Sequence, residues 1–362
     1  MLIYLNGTQN SANGPNENYA RELLELFAIG KGETAAPGDF TTYTEQDIVA
    51  IARALTGWRS FDLDTQDPAL SSYQANRHDT GDKQLSHRFN DAVITSAEEN
   101  EYKDVIDLIL QKEECARFIS RKLIRWFIHS DITNEVEIGV VEPMAQMIIA
   151  DGYELKNAIK ALLSSQYFFD ESIRGCMIVH PIDHVFKLLN SFQVAMPDDL
   201  IERYEATRAV LNYLGTTDMN IFDHPNVAGW KAYYQAPQFD KLWINAVSLP
   251  IRQRVSQALI AGFNISGHRL EINVLDFVAS LNNPSDPNDL INETAAIIFA
   301  QPLTDAQIDA LKEVLIPGLP DFEWTVEYND FINGNTDLEE AVENKLKNLI
   351  ETMANMPEFH LT

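Results

Sequence analysis

The sequence predicts a mainly α-helical protein, a large multi-helix globular domain with a small β-hairpin excursion around residues 58–97. Apolar residues recur at helical spacing through most of the chain. Residues that typically start and stop helices bracket these segments. The chain has 362 residues, of which 45% are hydrophobic. A chain of this size and composition buries a large core as one or two domains.

Two helices are expected before residue 58. Pro15-Asn16 precedes the first, and Gly30 is its expected stop. Thr44 is the expected N-cap of the second helix, and Asp47 at its third position completes a pattern that resembles a capping box. Gly57 is expected to end that helix, because glycine adopts the backbone angles that close a helix.

Residues 58–97 change in character, because they are rich in Gly, Pro, Asp and Ser with scattered aromatic residues. The segments 84–89 and 92–95 flank Asn90-Asp91, which predicts a small hairpin. We therefore expect an ordered excursion with minor strand content between two helical regions.

Helical periodicity resumes after this excursion. The expected helical segments lie near residues 99–129, 135–150, 154–165, 181–195, 198–214, 243–263, 287–300, 304–315 and 337–354. Residues 215–241 form an irregular, aromatic-rich loop, and a loop of that length is usually functional or packed on itself. The Asn-, Pro- and Ser-rich segment 282–287 is the best linker candidate. We accordingly predict a main helical domain at 1–281 and a C-terminal helical subdomain at 287–362 packed on it.

The charge balance excludes some classes of function. The chain has 27 basic and 54 acidic residues, for a formal charge of −27. Such a surface repels nucleic-acid phosphates, so we expect no nucleic-acid partner.

No run of 18 apolar residues exists, which predicts no transmembrane segment, and no signal peptide is visible at the start of the chain. The two cysteines, Cys115 and Cys176, are too few for a disulfide scaffold or a cysteine zinc site. Two separate buried thiols are expected, and the alternative is one bridge between them if the fold brings them together.

Several motifs follow one another in the order found in a bacterial family. They lie at residues 16–23 (Asn-Glu-Asn-Tyr-Ala-Arg-Glu-Leu), 43–48, 54–58 (Ala-Leu-Thr-Gly-Trp), 78–83, 118–127, 225–230 (Pro-Asn-Val-Ala-Gly-Trp), 243–244, Arg252 and 356–359. With these motifs the chain resembles, over nearly its whole length, the family called domain of unknown function 1800.

This resemblance implies an uncharacterised, exported bacterial protein, in the periplasm or outside the cell. Family members are often encoded beside a protein similar to sulfatases and alkaline phosphatases, which implies a partnership with such a protein. Members also usually carry a helical segment before the position equivalent to Met1. We therefore expect this chain to lack the N-terminal segment of the family.

The first candidate site lies on the first helix. Glu17, Arg21 and Glu25 are four residues apart and form one stripe of alternating charge, while Glu22 lies on the adjacent stripe. One interpretation is a salt-bridge ladder on the surface. The other is that Arg21 and Glu22 face an interior polar site, where a carboxylate acts as a general base, a metal ligand or the orienting partner of a histidine.

The second candidate is the segment 77–83, which places His78, Asp79 and Lys83 in a glycine-containing loop. Catalytic groups often lie in such loops. His78 and Asp79 are metal ligands only if other ligands converge on them in space. The alternative is that Asp79 and Lys83 make local hydrogen bonds that fix the loop.

The third candidate is the segment 223–230. Asn226 either ties this loop together or donates to a ligand. Trp58 and Trp230 each follow a glycine, and both are candidates for stacking on a sugar or another flat ligand. The alternative is that each tryptophan fills a core.

Three kinds of function follow from these candidates. The first is an accessory protein that binds the sulfatase- or alkaline-phosphatase-like protein or a surface glycan. The second is a hydrolase, in which Glu22, His78 and Asp79 supply acid, base or metal ligation and Arg21 or Lys83 stabilises anionic charge. The third is a structural protein whose polar motifs only fix helix packing. No known catalytic motif is present, so the sequence leaves enzymatic activity, cofactor and metal open.

Overall fold

The computed structural model describes residues 2–60 and 71–362, so part of the predicted excursion, residues 61–70, lies outside the described residues. The chain forms two compact units, Met1–Phe169 and Asp170–Thr362. The units meet after residue 169, whereas the sequence places a boundary between 1–281 and 287–362. That division into a main domain and a C-terminal subdomain stays a prediction. The fold is mainly α-helical with small two-stranded hairpins, as the sequence predicts.

The first unit contains seven of the described helices and three of the described hairpins. Its elements are α1 (Glu17–Glu22), β1 (Thr34–Ala36), β2 (Asp39–Phe40), α2 (Glu45–Ala54), β3 (Trp58–Ser60), β4 (Ser71–Tyr73), β5 (Lys83–Gln84), β6 (Val93–Ile94), α3 (Glu101–Leu110), α4 (Glu113–Phe127), α5 (Asn134–Val136), α6 (Glu142–Ala150) and α7 (Lys156–Leu163). The chain continues from α1 as a π-helical segment, Leu23–Ala28.

The helix starts in this unit have local causes. The Asn16 side chain accepts a hydrogen bond from Asn18 N and caps α1. Thr44 and Asp47 form the predicted capping box of α2. Gly30 and Gly57 both have a positive φ, of 68° and 91°, in the positions where the sequence places helix ends. The predictions for these two helices are therefore confirmed.

The strands of the excursion pair locally in antiparallel hairpins. In the β3–β4 hairpin, Trp58 lies opposite Tyr73 and Ser60 opposite Ser71. In the β5–β6 hairpin, Lys83 lies opposite Ile94. The predicted hairpin around Asn90-Asp91 is thus present, with strands shorter than the segments that the sequence suggests.

Asp47 joins α2 to this last hairpin. Its Oδ1 accepts from Ser86 N at 2.7 Å, and its Oδ2 accepts from Ser86 Oγ and Thr44 N, each at 2.7 Å. The residue is fully buried. Because its two oxygens accept hydrogen bonds from both Thr44 and Ser86, the carboxylate fixes both the start of α2 and the position of the hairpin. The core of the unit packs around the apolar side of the same helix, with Ile48 and Ile51 buried.

The second unit contains the remaining helices and one further hairpin. Its elements are α8 (Pro181–Ser191), α9 (Leu200–Thr216), α10 (Lys231–Tyr234), α11 (Ser248–Ala261), β7 (Phe263–Ile265), β8 (His268–Leu270), α12 (Val274–Ala279), α13 (Pro287–Ile298), α14 (Asp305–Leu315), α15 (Asp321–Ile332) and α16 (Glu339–Asn355).

The long helix α16 organises the core of this unit. It packs against α11, α12, α14 and α15. Leu346, Leu349, Ile350 and Met353 are buried, at the spacing of one helix face. The predicted linker at 282–287 is tied to the core, because the fully buried Trp324 donates from Nε1 to Pro284 O at 2.8 Å.

Two further features concern membrane-spanning helices and the burial of the two cysteines. Of the helices in the described part of the chain, none has the length and apolar character needed to span a bilayer. Cys115 is buried whereas Cys176 is exposed, so the expectation of two buried thiols is right for Cys115 and wrong for Cys176.

Substitution of Asp47 tests the link between α2 and the β5–β6 hairpin. Asp47→Asn replaces an acceptor oxygen by an amide that faces other donors, so we expect it to lower the free energy of unfolding by about 1–3 kcal/mol. Urea unfolding of the purified protein measures the change. Asp91→Asn, at an exposed residue of the same hairpin turn, is the matched control. Equal and small effects of the two substitutions would contradict the assignment.

Candidate functional site

The motif at 54–58 and the segment 77–83 meet at Thr56. Asp79 N donates to Thr56 Oγ1 at 2.9 Å, and that hydroxyl donates to Arg53 O at 2.7 Å. Nδ1 of His78 lies 3.0 Å from Thr56 O. The threonine of the Ala-Leu-Thr-Gly-Trp motif therefore positions the predicted His-Asp pair directly after α2.

His78, Glu101 and Lys83 form a buried ionic group, here called the His78–Glu101–Lys83 cluster. Their side chains are completely inaccessible to solvent. His78 Nε2 lies 2.9 Å from Glu101 Oε1, and Lys83 Nζ lies 2.5 Å from Glu101 Oε2. Lys83 Nζ also donates to Asp79 O at 2.5 Å, the local loop-fixing contact that the sequence offers as an alternative. The cluster thus connects the first residue of α3 to β5 and to the segment before β5.

His78 is held through both of its ring nitrogens. Nδ1 lies 3.0 Å from Thr56 O and 3.1 Å from Thr56 Oγ1, and Nε2 faces the Glu101 carboxylate. The ring is therefore fixed between the segment that follows α2 and the start of α3.

Asp79 forms a second ion pair beside this cluster. Arg53 donates from Nε and Nη2 to the two carboxylate oxygens, at 2.8 and 2.9 Å. Gly81 N also donates to Asp79 Oδ1 at 2.9 Å. The Arg53 guanidinium holds the pKa of Asp79 below its ordinary value, and the backbone hydrogen bond acts in the same direction. Asp79 is therefore an ionised, firmly held carboxylate near neutral pH.

The charges of α1 are paired largely with α2. Arg21 donates to both oxygens of Glu45, at 2.8 and 2.6 Å, and lies 3.4 Å from Glu17 and 3.9 Å from Glu25. This arrangement contains the surface ladder expected from sequence, with Glu45 as an additional partner. The Arg21 hydrogen bond holds the pKa of Glu45 below its ordinary value. Arg21 and Glu45 thus join α1 to α2.

Glu22 is half-buried on the neighbouring stripe of α1. Partial burial raises the pKa of its carboxyl group, the charge of Glu25 adds to this effect, and Arg21 opposes it. A raised pKa is the property that a general acid or base needs. Its cooperation with His78 and Asp79 stays a prediction.

Trp58 lies on β3 among aromatic side chains. Its ring centroid is 5.7 Å from that of Tyr73 and 5.5 Å from that of Tyr102. Gly57 is required before it, because φ is 91° and a Cβ atom would lie 3.1 Å from Gln74 O. The indole is half-buried, so much of its surface already contacts the protein.

Asn226 and Trp230 belong to the second unit and organise the loop before α10. The Asn226 side chain accepts from Ala228 N at 2.9 Å and donates to Tyr234 OH at 2.7 Å. Trp230 is half-buried, with its ring 4.3 Å from that of His224 and 5.7 Å from that of Tyr233. These contacts agree with the interpretation in which Asn226 ties the loop together.

The helix α9 carries an exposed apolar surface, here called the α9 apolar face and formed by Leu200, Ile201, Tyr204 and Leu211. These four side chains are between 49% and 77% exposed. At about 100° per residue, Leu200, Tyr204 and Leu211 lie within about 40° of one another, and Ile201 lies beside them. The opposite side of α9 is buried through residues such as Ala206 and Tyr213. A helix that is apolar on both sides is typical of one with a partner on each.

Sequence reasoning missed several of these residues. Glu101 is one of four acidic residues within 98–104, and nothing in its local sequence distinguishes it. Nothing in the sequence marks the α9 apolar face as exposed, because its residues are equally suited to a buried helix. His184 and His360, which lie in a second buried polar cluster with Arg252, are far apart in sequence. Of these, only Arg252 is part of a family motif.

Metal binding was one use foreseen for the predicted residues. Within residues 2–60 and 71–362, no three His, Cys, Asp or Glu side chains are grouped in a way that would hold a metal ion. His78 and Asp79 have other partners, Glu101 and Arg53.

Comparison with known proteins agrees with the motif order found in the sequence. A family model described as protein of unknown function (DUF1800) matches residues 1–361. The resemblance is therefore confirmed over essentially the whole chain. No curated protein and no solved structure was found to match it.

The Asp79–Arg53 pair predicts a defined pH dependence of stability. Because the folded-state pKa of Asp79 lies below its ordinary value of 3.8, its contribution is present above pH 3.8 and is lost as pH falls through the lower, folded-state value. The difference in unfolding free energy between wild type and Asp79→Asn should therefore be constant near neutral pH and shrink below pH 3.8. Urea unfolding between acidic and neutral pH measures it.

Asp82→Asn is the matched control, since it removes the same charge from an exposed neighbour. A difference between wild type and Asp79→Asn that stays constant down to the most acidic pH would show that the ion pair does not stabilise the fold.

Proposed function

The chain belongs to the DUF1800 family of proteins of unknown function, and we propose that it is an accessory protein that binds a partner protein through the α9 apolar face. The observation that carries this proposal is the exposure of Leu200, Ile201 and Tyr204 on one side of a helix whose other side is buried. Exposed apolar surface is costly in water, and in a folded protein it often marks an interaction site.

The surroundings of this face indicate the chemistry of the partner. Between residues 198 and 208 the chain has four acidic and two basic side chains. The protein as a whole has a formal charge of −27. A complementary partner therefore has an apolar patch bordered by basic residues, because opposite charges at the rim favour encounter and register. The partner that family resemblance suggests is a sulfatase- or alkaline-phosphatase-like protein, met in the periplasm or outside the cell.

A protein partner fits these features better than a glycan does. Sugar binding uses an accessible aromatic face with polar groups around it. Trp58 and Trp230, the two candidates for that role, are half-buried and have aromatic neighbours. The most exposed part of α9 is mainly aliphatic, which suits a protein surface.

The hydrolase alternative has less support. A general acid or base needs to reach the substrate within hydrogen-bond distance. The His78 side chain is fully inaccessible, and Asp79 is engaged by Arg53 through two hydrogen bonds. Of the three residues, Glu22 is the one that is only half-buried and also has a raised pKa. Hydrolysis through these residues stays a prediction that needs a substrate to be found.

Substitution on α9 tests the proposed interaction. The wild-type chain, co-expressed with a sulfatase- or alkaline-phosphatase-like protein of the kind that the family resemblance implies, should co-purify with that protein. Ile201→Ser should weaken the complex at least about tenfold in a calorimetric titration, because a buried apolar anchor is worth about 1–2 kcal/mol or more. Ile332→Ser is the matched control at an exposed residue of α15 and should bind like the wild type. The absence of a complex, or equal affinity of the two variants, would reject the proposal.

A further inference from the structure

A lysine of α8, Lys187, lines a cavity of about 340 Å³ in the second unit. The wall of this cavity is formed largely by the end of α13, the residues after it and the last residues of the chain, with Ile297, Phe299 and Leu361 among its apolar members. Asp183, one helical turn before Lys187, also lines the cavity. An apolar wall thus surrounds one amine and one carboxylate, a composition typical of small-molecule sites.

The amine of Lys187 is oriented by the main chain. Nζ donates to Phe359 O at 2.9 Å and to Leu361 O at 3.4 Å. A neutral amine has two N–H groups and one lone pair, so both hydrogen bonds are retained when the third proton of the ammonium group is lost. The lone pair of the neutral form is not directed at these carbonyl groups, and it is available for attack on an electrophile.

Burial makes this amine a better nucleophile near neutral pH. Removal from water lowers the pKa of Lys187 from its ordinary value of 10.5 to about 8. At pH 7 about a tenth of this side chain is therefore neutral, compared with less than about a thousandth of an ordinary lysine. Lysines that react with carbonyl groups gain their reactivity in the same way, by desolvation in an apolar pocket.

The charged groups near Lys187 do not favour its protonated form. Asp183 is 60% exposed, and in the described part of the chain no carboxylate lies within ion-pair distance of Nζ. Towards the core, Lys187 and Arg252 both contribute to the lowered pKa values of His184 and His360. The ionisable groups on the buried side of the amine are therefore one cation and two imidazoles that are neutral near neutral pH.

We propose that Lys187 is a covalent attachment site for a small apolar aldehyde or ketone, which it holds in this cavity as an imine. The neutral amine adds its lone pair to the carbonyl carbon, and one amine proton moves to the carbonyl oxygen to give a carbinolamine. The hydroxyl group then leaves with the second amine proton as water, and a C=N bond forms without any oxidant or reductant. Asp183 lines the same cavity and is the group that we assign to carry these protons.

The cavity wall indicates the class of carbonyl compound. Ile297 and Phe299 are apolar, and each CH₂ group that moves from water to such a surface favours binding about fourfold. A short alkyl chain is therefore preferred to a charged or strongly hydrated substituent. When the imine is protonated it keeps one N–H, which is sufficient for the hydrogen bond to Phe359 O.

The competing role of Lys187 is structural. Its hydrogen bonds to Phe359 and Leu361 fasten the last residues to α8, and Nζ lies 4.6 Å from the centroid of the Phe359 ring, a contact that favours the charged form. Thr362 also lines the cavity, and its main-chain oxygen accepts from Gly175 N at 3.0 Å. A lysine with this role alone stays protonated and reacts no faster than an exposed lysine. The rate of reaction with aldehydes therefore distinguishes the two roles.

The experiment treats the purified full chain with butanal at pH 7 and traps each imine by reduction with sodium cyanoborohydride. Peptide mapping by mass spectrometry then gives the rate of butylation at each lysine. We expect Lys187 to react at least about tenfold faster than Lys231, an exposed lysine of the same unit. Lys187→Arg keeps the charge and the N–H donors, and it should lose the fast adduct while Lys231 reacts as in the wild type.

Formaldehyde is the control for the cavity, since it has no alkyl chain. The ratio of the rates at Lys187 and Lys231 should be higher with butanal, because its propyl group is buried against the wall beside Lys187. Ile297→Ser, at a wall residue that is 46% exposed, should lower the ratio for butanal and leave that for formaldehyde unchanged. The proposal is overturned if Lys187 reacts no faster than Lys231, or if the ratio with butanal does not exceed the ratio with formaldehyde.

Discussion

The paired burial of Glu101 is the interaction on which the N-terminal unit depends most. Its carboxylate is inaccessible to solvent and is compensated by Lys83 and His78, so the charge is tolerated only while both contacts persist. Through these contacts the start of α3, the strand β5 and the segment after β4 are held together. Thr56 then connects that segment to the end of α2. The polar motifs of this unit form a connected framework within which most of their charges are neutralised.

The two units differ in what they leave available to ligands. In the first, Asp79 is held by Arg53, Arg21 by Glu45, and His78 by Glu101. In the second, Lys187 lines a cavity and has no carboxylate within ion-pair distance in the described part of the chain, and α9 exposes an apolar face. Unpaired charge and exposed apolar surface are the features through which a protein gains free energy on binding. The structure therefore directs the search for ligands and partners to the second unit.

Local chemistry accounts for what the sequence predicted correctly. The capping residues Thr44 and Asp47 act within one helical turn, so their roles are readable from a few neighbouring residues. Partners distant in sequence were not predictable, because a single acidic residue such as Glu101 looks the same whether solvated or buried. For the same reason, nothing in α9 indicated which of its two apolar sides faces the core.

The most direct test of this account is a double-mutant cycle between Lys83→Met and Glu101→Gln, measured by urea unfolding. If Glu101 is held in a buried ion pair, each single substitution leaves a buried polar partner uncompensated. The double variant should then be much less destabilised than the sum of the two, with a coupling energy of about 1–3 kcal/mol. If the changes in unfolding free energy of the two single variants simply add in the double variant, Lys83 and Glu101 do not stabilise each other. The buried ion pair would then not hold the N-terminal unit together.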